Sequence, residues 1–135
     1  MIEPRPSVTQ FVKTLVRAEV LRGGGVEDSG VAQRITMRLH KELGKLIGPA
    51  GVDVLLARSV VLARRAHPVL AGITAGPGGT LVGLDDAALG GAKLQEGAVA
   101  IVSHFIELLA SLIREDLAMD LVRGVWPVAE EEEDR

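Results

Sequence analysis

Asp116 and Asp120 stand four residues apart in a stretch whose apolar residues, Val102, Phe105, Ile106, Leu109, Leu112, Ile113 and Leu117, recur at spacings of three and four. At 3.6 residues per turn this predicts one helix from about Leu94 to Val125, with both carboxylates near the middle of its core-facing arc. Carboxylates on such a stripe must meet cations, stay protonated or reach water. Their chemistry would be a paired-carboxylate site for a metal ion or for acid–base work. His67, on the apolar face of a preceding helix, is expected to be core-facing too and could be its third member. The structural alternative is ion pairing with Arg58 or Arg64 of a neighbouring helix, or with Arg123 one turn away. No histidine lies three or four residues from either aspartate, so the local pattern does not select a metal.

A second constellation is a basic stripe. Arg34, Arg38, Lys41 and Lys45 fall at i, i+4, i+7 and i+11 of one predicted helix, with only Glu42 beside them. Such a stripe is either the solvated face of an amphipathic helix or a contact surface for an acidic partner, which could be the acidic tail of this chain or of a dimer mate. Nucleic acid fits it less well, because no asparagine or aromatic side chain accompanies the cations. Trp126 is either a packed terminus or an aromatic anchor in an interface.

Other patterns carry less chemistry. His104 and Glu107 are three apart, but a di-iron bundle needs Glu-x-x-His on two helices, and both residues fall on the predicted polar arc. Gly76-Pro77-Gly78-Gly79 is not followed by Gly-Lys-Ser/Thr and reads as a turn. Ser59, Ser103 and Ser111 lie inside predicted helices without a nucleophile elbow. No catalytic residue, metal ligand or cofactor-binding residue is assigned, and no cofactor is expected.

The elements that must position these residues are mostly helices. Ser7 to Leu21 forms the first, stopped by Gly23-Gly24-Gly25. The second runs from Asp28 or Ser29 to Ile47, with Ile35, Leu39, Leu43 and Leu46 facing the core. The third, about Ala50 to His67, is apolar almost all round, which suits a central helix or one covered by a second subunit. Ile73-Thr74 and Thr80-Leu81-Val82 flank the glycine turn and suggest a small β-hairpin or an ordered loop over the bundle, and Asp85-Asp86 could cap a helical turn. The run Glu130 to Asp134 predicts a flexible acidic tail, so residues 1–127 form one helical domain and 128–135 its tail.

Bulk composition narrows the classes. With 135 residues and 47% apolar content the chain suits one domain with a real core. Fifteen basic against 18 acidic residues leave a net charge of −3, too little to drive it to nucleic acid or an anionic membrane. The absence of cysteine removes disulfides, thiolate catalysis and Cys-based metal sites. Two phenylalanines, one tryptophan and no tyrosine offer few stacking platforms for bases or sugars. The N-terminus has no basic patch followed by an apolar run, so a cytoplasmic location is the expectation.

The segment Gly51-Val52-Asp53-Val54-Leu55-Leu56-Ala57-Arg58, followed after a glycine-containing connector by Phe105-Ile106, Leu112 to Leu117 and Leu121-Val122-Arg123-Gly124-Val125-Trp126-Pro127, resembles a group of short, uncharacterised bacterial helical proteins. The resemblance spans roughly residues 48 to 127 and is most specific in its Glu-Asp-Leu and Val-Trp-Pro blocks. It implies a self-contained domain and carries no activity, ligand or site residue. The expected fold is mainly α, a four-helix bundle-like domain with a small hairpin or ordered loop before the last helix. The expected function is that of a non-enzymatic interaction or regulatory adaptor acting as a homodimer without a membrane anchor. Two alternatives stand beside it: a small-molecule or metal-binding bundle with a carboxylate site, and a nucleic-acid binder using the basic stripe.

Overall fold

The computed structural model describes residues 4–23, 30–83 and 91–125. Within them lie five α-helices: α1 (Pro6–Gly23), α2 (Val31–Ile47), α3 (Pro49–Ala66), α4 (Gly91–Leu112) and α5 (Glu115–Val125). One small antiparallel hairpin, β1 (Thr74–Ala75) and β2 (Leu81–Val82), precedes α4, with Thr74 opposite Val82 and Ala75 opposite Leu81. The fold is mainly helical. No helix among the described residues is long and apolar enough to cross a membrane. Trp126, the acidic tail, Asp28, Ser29 and Asp85-Asp86 lie outside the described residues.

Helix α4, rather than α3, is the hub, and it packs against all four other helices. Ile101, Val102, Phe105, Ile106 and Leu109 are buried along one broad apolar face of it. Around it converge Val8, Val12 and Leu15 of α1, Ile35, Leu39 and Leu43 of α2, and Val52, Leu56 and Val60 of α3. Pro49 opens α3 at its first turn, where its missing N–H costs nothing, and Gly48 supplies the φ of 90° that the sharp α2–α3 link requires.

The hairpin is fastened to the bundle by polar contacts. Thr36 Oγ1 donates to the Gly79 carbonyl at 2.6 Å, and the Leu81 N–H donates to Gln33 Oε1 at 2.9 Å. From the other side, Arg64 Nη1 donates to the Ile73 carbonyl at 3.1 Å. Gly79 sits directly on α2 with φ of 82°, so its turn is both left-handed and in backbone contact with a helix.

The predicted single helix from Leu94 to Val125 is broken. Helix α4 ends at Leu112, Ile113 and Arg114 leave helical conformation, and α5 begins at Glu115. The break resets the helical phase: Ala118, Val122 and Val125 now face the core, at spacings of four and three. Leu112, Ile113 and Leu117, which the uninterrupted pattern put inside, are exposed at the elbow. Asp116 lies in the first turn of α5, and its carboxylate accepts the Leu117 N–H at 3.0 Å, a favourable place for negative charge on a helix.

Candidate functional site

With the phase reset, Asp116 and Asp120 are not core-facing. Their side chains are 68% and 69% exposed and pair locally, Asp116 with Arg114 at 3.0 Å and Asp120 with Arg123 at 3.1 Å. Such surface pairs contribute about 0–1 kcal/mol each. Arg123 also lies 5.0 Å from the Phe11 ring centroid, which fixes it against α1. Arg64 is engaged by the hairpin and Arg58 is exposed, so neither reaches the aspartates. The core-facing expectation for Asp116 and Asp120 is therefore corrected: both are exposed and neither lines the cleft that His67 lines, and no group of three or more potential metal ligands occurs among the described residues.

The basic stripe divides in two. Arg34 and Arg38 turn inward toward Glu19 of α1, whose side chain is only 7% exposed. Arg34 Nε lies 3.4 Å from Glu19 Oε1 and Arg34 Nη2 donates to the Glu19 carbonyl at 3.3 Å. Arg38 Nη1 is 3.9 Å from Glu19 Oε2, while its Nε donates to the Val125 carbonyl at 3.1 Å and so caps the end of α5. These two cations join α1, α2 and α5. Lys41 remains exposed, and Lys45 pairs with Glu42 at 3.3 Å on the surface. The stripe is thus no continuous partner-facing surface.

A concavity lies elsewhere, along α1, α4 and the end of α3. Helices α1 and α4 run antiparallel, pinned at one end where Arg5 Nη2 meets Glu107 Oε1 at 2.7 Å and the Arg5 N–H donates to Oε2 at 2.7 Å. The Arg5 hydrogen bond holds the Glu107 carboxyl below its usual value of 4.5, against the opposing effect of burial, with the charges of Arg5 and His104 adding to the lowering. A depressed carboxylate stabilises the fold above its unfolded pKa and loses that contribution as pH falls through the folded value. The stability difference between the wild type and Glu107→Gln, followed by urea unfolding, is therefore expected to shrink as pH is lowered from neutrality through the carboxylate range.

Beyond that clasp the helices enclose a cleft of about 860 Å³. Its apolar walls come from Val16, Val20 and Leu21 of α1, Val99 and Ala100 of α4, and Ala66 of α3. Lys13 and Arg17 stand one turn apart on α1 at its exposed rim, and Glu96 stands on α4. Toward the interior it is lined by Ser103 and His104, which are 1% and 3% exposed. His67 lines it at the end of α3, half-buried, with its N–H donating to the Ala63 carbonyl at 2.8 Å.

Ser103 is the unusual member. Ser59 and Ser111 donate to their own helices, to the Leu55 and Leu108 carbonyls, each at 2.6 Å. The Ser103 hydroxyl is buried and has no hydrogen-bond partner among the described residues. Leaving a buried hydroxyl unmet costs about 1–3 kcal/mol. Since neither histidine hydrogen-bonds to it, no activated nucleophile is assembled here. The cleft joins apolar walls, a few buried polar groups and cations at its mouth.

Sequence reasoning missed this site. His104 is buried rather than on a polar arc, because α4 is buried over most of its surface from Gly97 to Ile106. The signal lay in the nearly continuous apolar run that begins at Ala98, whose first polar residues, Ser103 and His104, are buried. Glu19 had a signal as well, since it falls four residues after Leu15 and seven after Val12, inside the apolar stripe of α1. No family model matches this chain, and no curated protein or solved structure matches it.

Proposed function

We propose that this protein is a non-enzymatic helical binding module that holds a small, largely apolar molecule in the cleft between α1, α4 and the end of α3. The observation that carries this reading is the cleft, whose volume of about 860 Å³ falls in the range of about 300–1,000 Å³ common to small-molecule sites. The unmet Ser103 hydroxyl beside it supports the same reading, since buried polar groups are ordinarily satisfied and an exception points to function. The test uses Nile red, an uncharged apolar dye, with the native protein and with Val99→Trp, whose indole would fill the cleft. The wild type is expected to enhance the dye's emission with saturable binding, and the variant to lose that binding while keeping its helical circular dichroism. Equal dye binding by both would refute the cleft as the site.

A second reading, a homodimeric adaptor, rests on Leu112, Ile113 and Leu117, which are 69%, 37% and 47% exposed at the α4–α5 elbow. Clustered exposed apolar side chains favour burial against another surface. Light scattering on a sizing column, compared with Leu112→Lys, tests it: a dimer that the substitution dissociates supports the adaptor, and a monomer in both removes it.

A further inference from the structure

We propose that the molecule held in the cleft is a single-chain amphiphile with an anionic head, its carboxylate at Lys13 and Arg17 and its apolar chain along Val16, Val20, Val99 and Ala100. This rests on the cleft being a ligand site and adds the charge and shape of what enters it. Three observations converge. Lys13 and Arg17 share one rim of the cleft at i and i+4, and neither has an ion-pair partner among the described residues. Arg5 is engaged by Glu107, Arg34 and Arg38 by Glu19, Arg64 by Ile73 and Arg123 by Asp120, and the exposed Arg22, Lys41, Arg58, Arg65 and Lys93 do not line the cleft. Beside the two cations the walls are apolar, and the buried Ser103 hydroxyl and His104 imidazole line the interior.

The cleft therefore combines two exposed cations, apolar walls and buried polar groups. A fully apolar ligand would leave both cations unanswered, and a small inorganic anion would leave the apolar wall in water. A cationic amphiphile would be repelled by Lys13 and Arg17, with only Glu96 at the rim to offset them. An anionic head on an aliphatic chain answers the cations and the apolar walls. The guanidinium of Arg17 and the ammonium of Lys13 would both donate charge-assisted hydrogen bonds to the carboxylate. The low aromatic content fits an aliphatic chain better than a stacked ring, since among the described residues no phenylalanine, tyrosine or tryptophan lines the cleft.

Titration calorimetry with decanoate, decanol and decyltrimethylammonium, each below its micellar concentration, separates these possibilities. Decanoate is expected to bind at one site, decanol about tenfold more weakly and the ammonium not at all. The double substitution Lys13→Gln, Arg17→Gln should weaken decanoate to the level of decanol and leave decanol unchanged. Equal affinity for decanoate and decanol in the wild type would overturn the assignment of an anionic head while leaving the cleft as an apolar site. Failure of all three to bind would instead overturn the cleft reading itself. Co-sedimentation with phosphatidylglycerol vesicles is the remaining arm. Vesicle binding that depends on Lys13 and Arg17 but is not competed by decanoate would make this face a membrane-surface contact and overturn the proposal.

Discussion

Gly79→Ala is expected to destabilise the fold by about 3 kcal/mol or more, enough to leave a domain of ordinary stability marginal. Two costs combine. Gly79 has φ of 82°, a left-handed conformation that costs an L-residue about 1–2 kcal/mol. A β-carbon there would lie 2.6 Å from the Thr36 carbonyl oxygen, 2.7 Å from His40 Cβ and 2.9 Å from Met37 Cα. Two of those atoms belong to the backbone of α2 and cannot swing aside, so the hairpin tip would have to lift. Lifting it breaks the 2.6 Å hydrogen bond from Thr36 to the Gly79 carbonyl and loosens that from Leu81 to Gln33. Gly78→Ala is the control. Gly78 has φ of 69° but nothing within 4 Å of the added carbon, so only the backbone cost of about 1 kcal/mol applies. Urea unfolding of the two variants should differ by at least about 1 kcal/mol in that order; equal losses would show that the hairpin does not bear on α2.

Glu19→Ala is expected to cost about 2–3 kcal/mol. Removing one partner of a fully buried ion pair costs about 3–5 kcal/mol, but Arg34 and Arg38 are 38% and 32% exposed and can recover hydration, which lowers the figure. The loss should be largely insensitive to salt, because the carboxylate is shielded from the ionic atmosphere. A double-mutant cycle with Arg38→Met measures the coupling. Arg38 also donates to the Val125 carbonyl, so its replacement should additionally fray the end of α5, visible as faster amide exchange over Ala118 to Val125. A loss below about 0.5 kcal/mol for Glu19→Ala would reduce the contact to an ordinary surface pair.

These contacts mark the boundary of what periodicity can reveal. Helices α1, α2 and α3 follow from apolar spacing and from local stop signals: Gly23 ends α1, and Gly48 with Pro49 separates α2 from α3. The hairpin follows from a glycine-rich turn between two β-prone dipeptides. The break at Ile113-Arg114 does not, because Leu112, Ile113 and Leu117 continue the preceding pattern and no Gly or Pro interrupts it. Extrapolating that pattern carried Asp116 and Asp120 to the wrong face. The core-side pairing of Arg34 and Arg38 was hidden for a different reason: a stripe of one charge sign looks the same whether water or a buried carboxylate answers it. The cleft could not be read at all, since it depends on how α1 lies across α4, and crossing geometry leaves no mark in the spacing of either helix.

The proposal that ligand binds in the cleft, and not at the apolar elbow of α4 and α5, is tested by amide chemical-shift mapping during a titration with decanoate. Saturable shifts confined to Lys13 through Leu21, Ala66 and His67, and Gln95 through His104 are expected. Shifts centred instead on Leu112, Ile113 and Leu117, or none anywhere, would contradict the proposal.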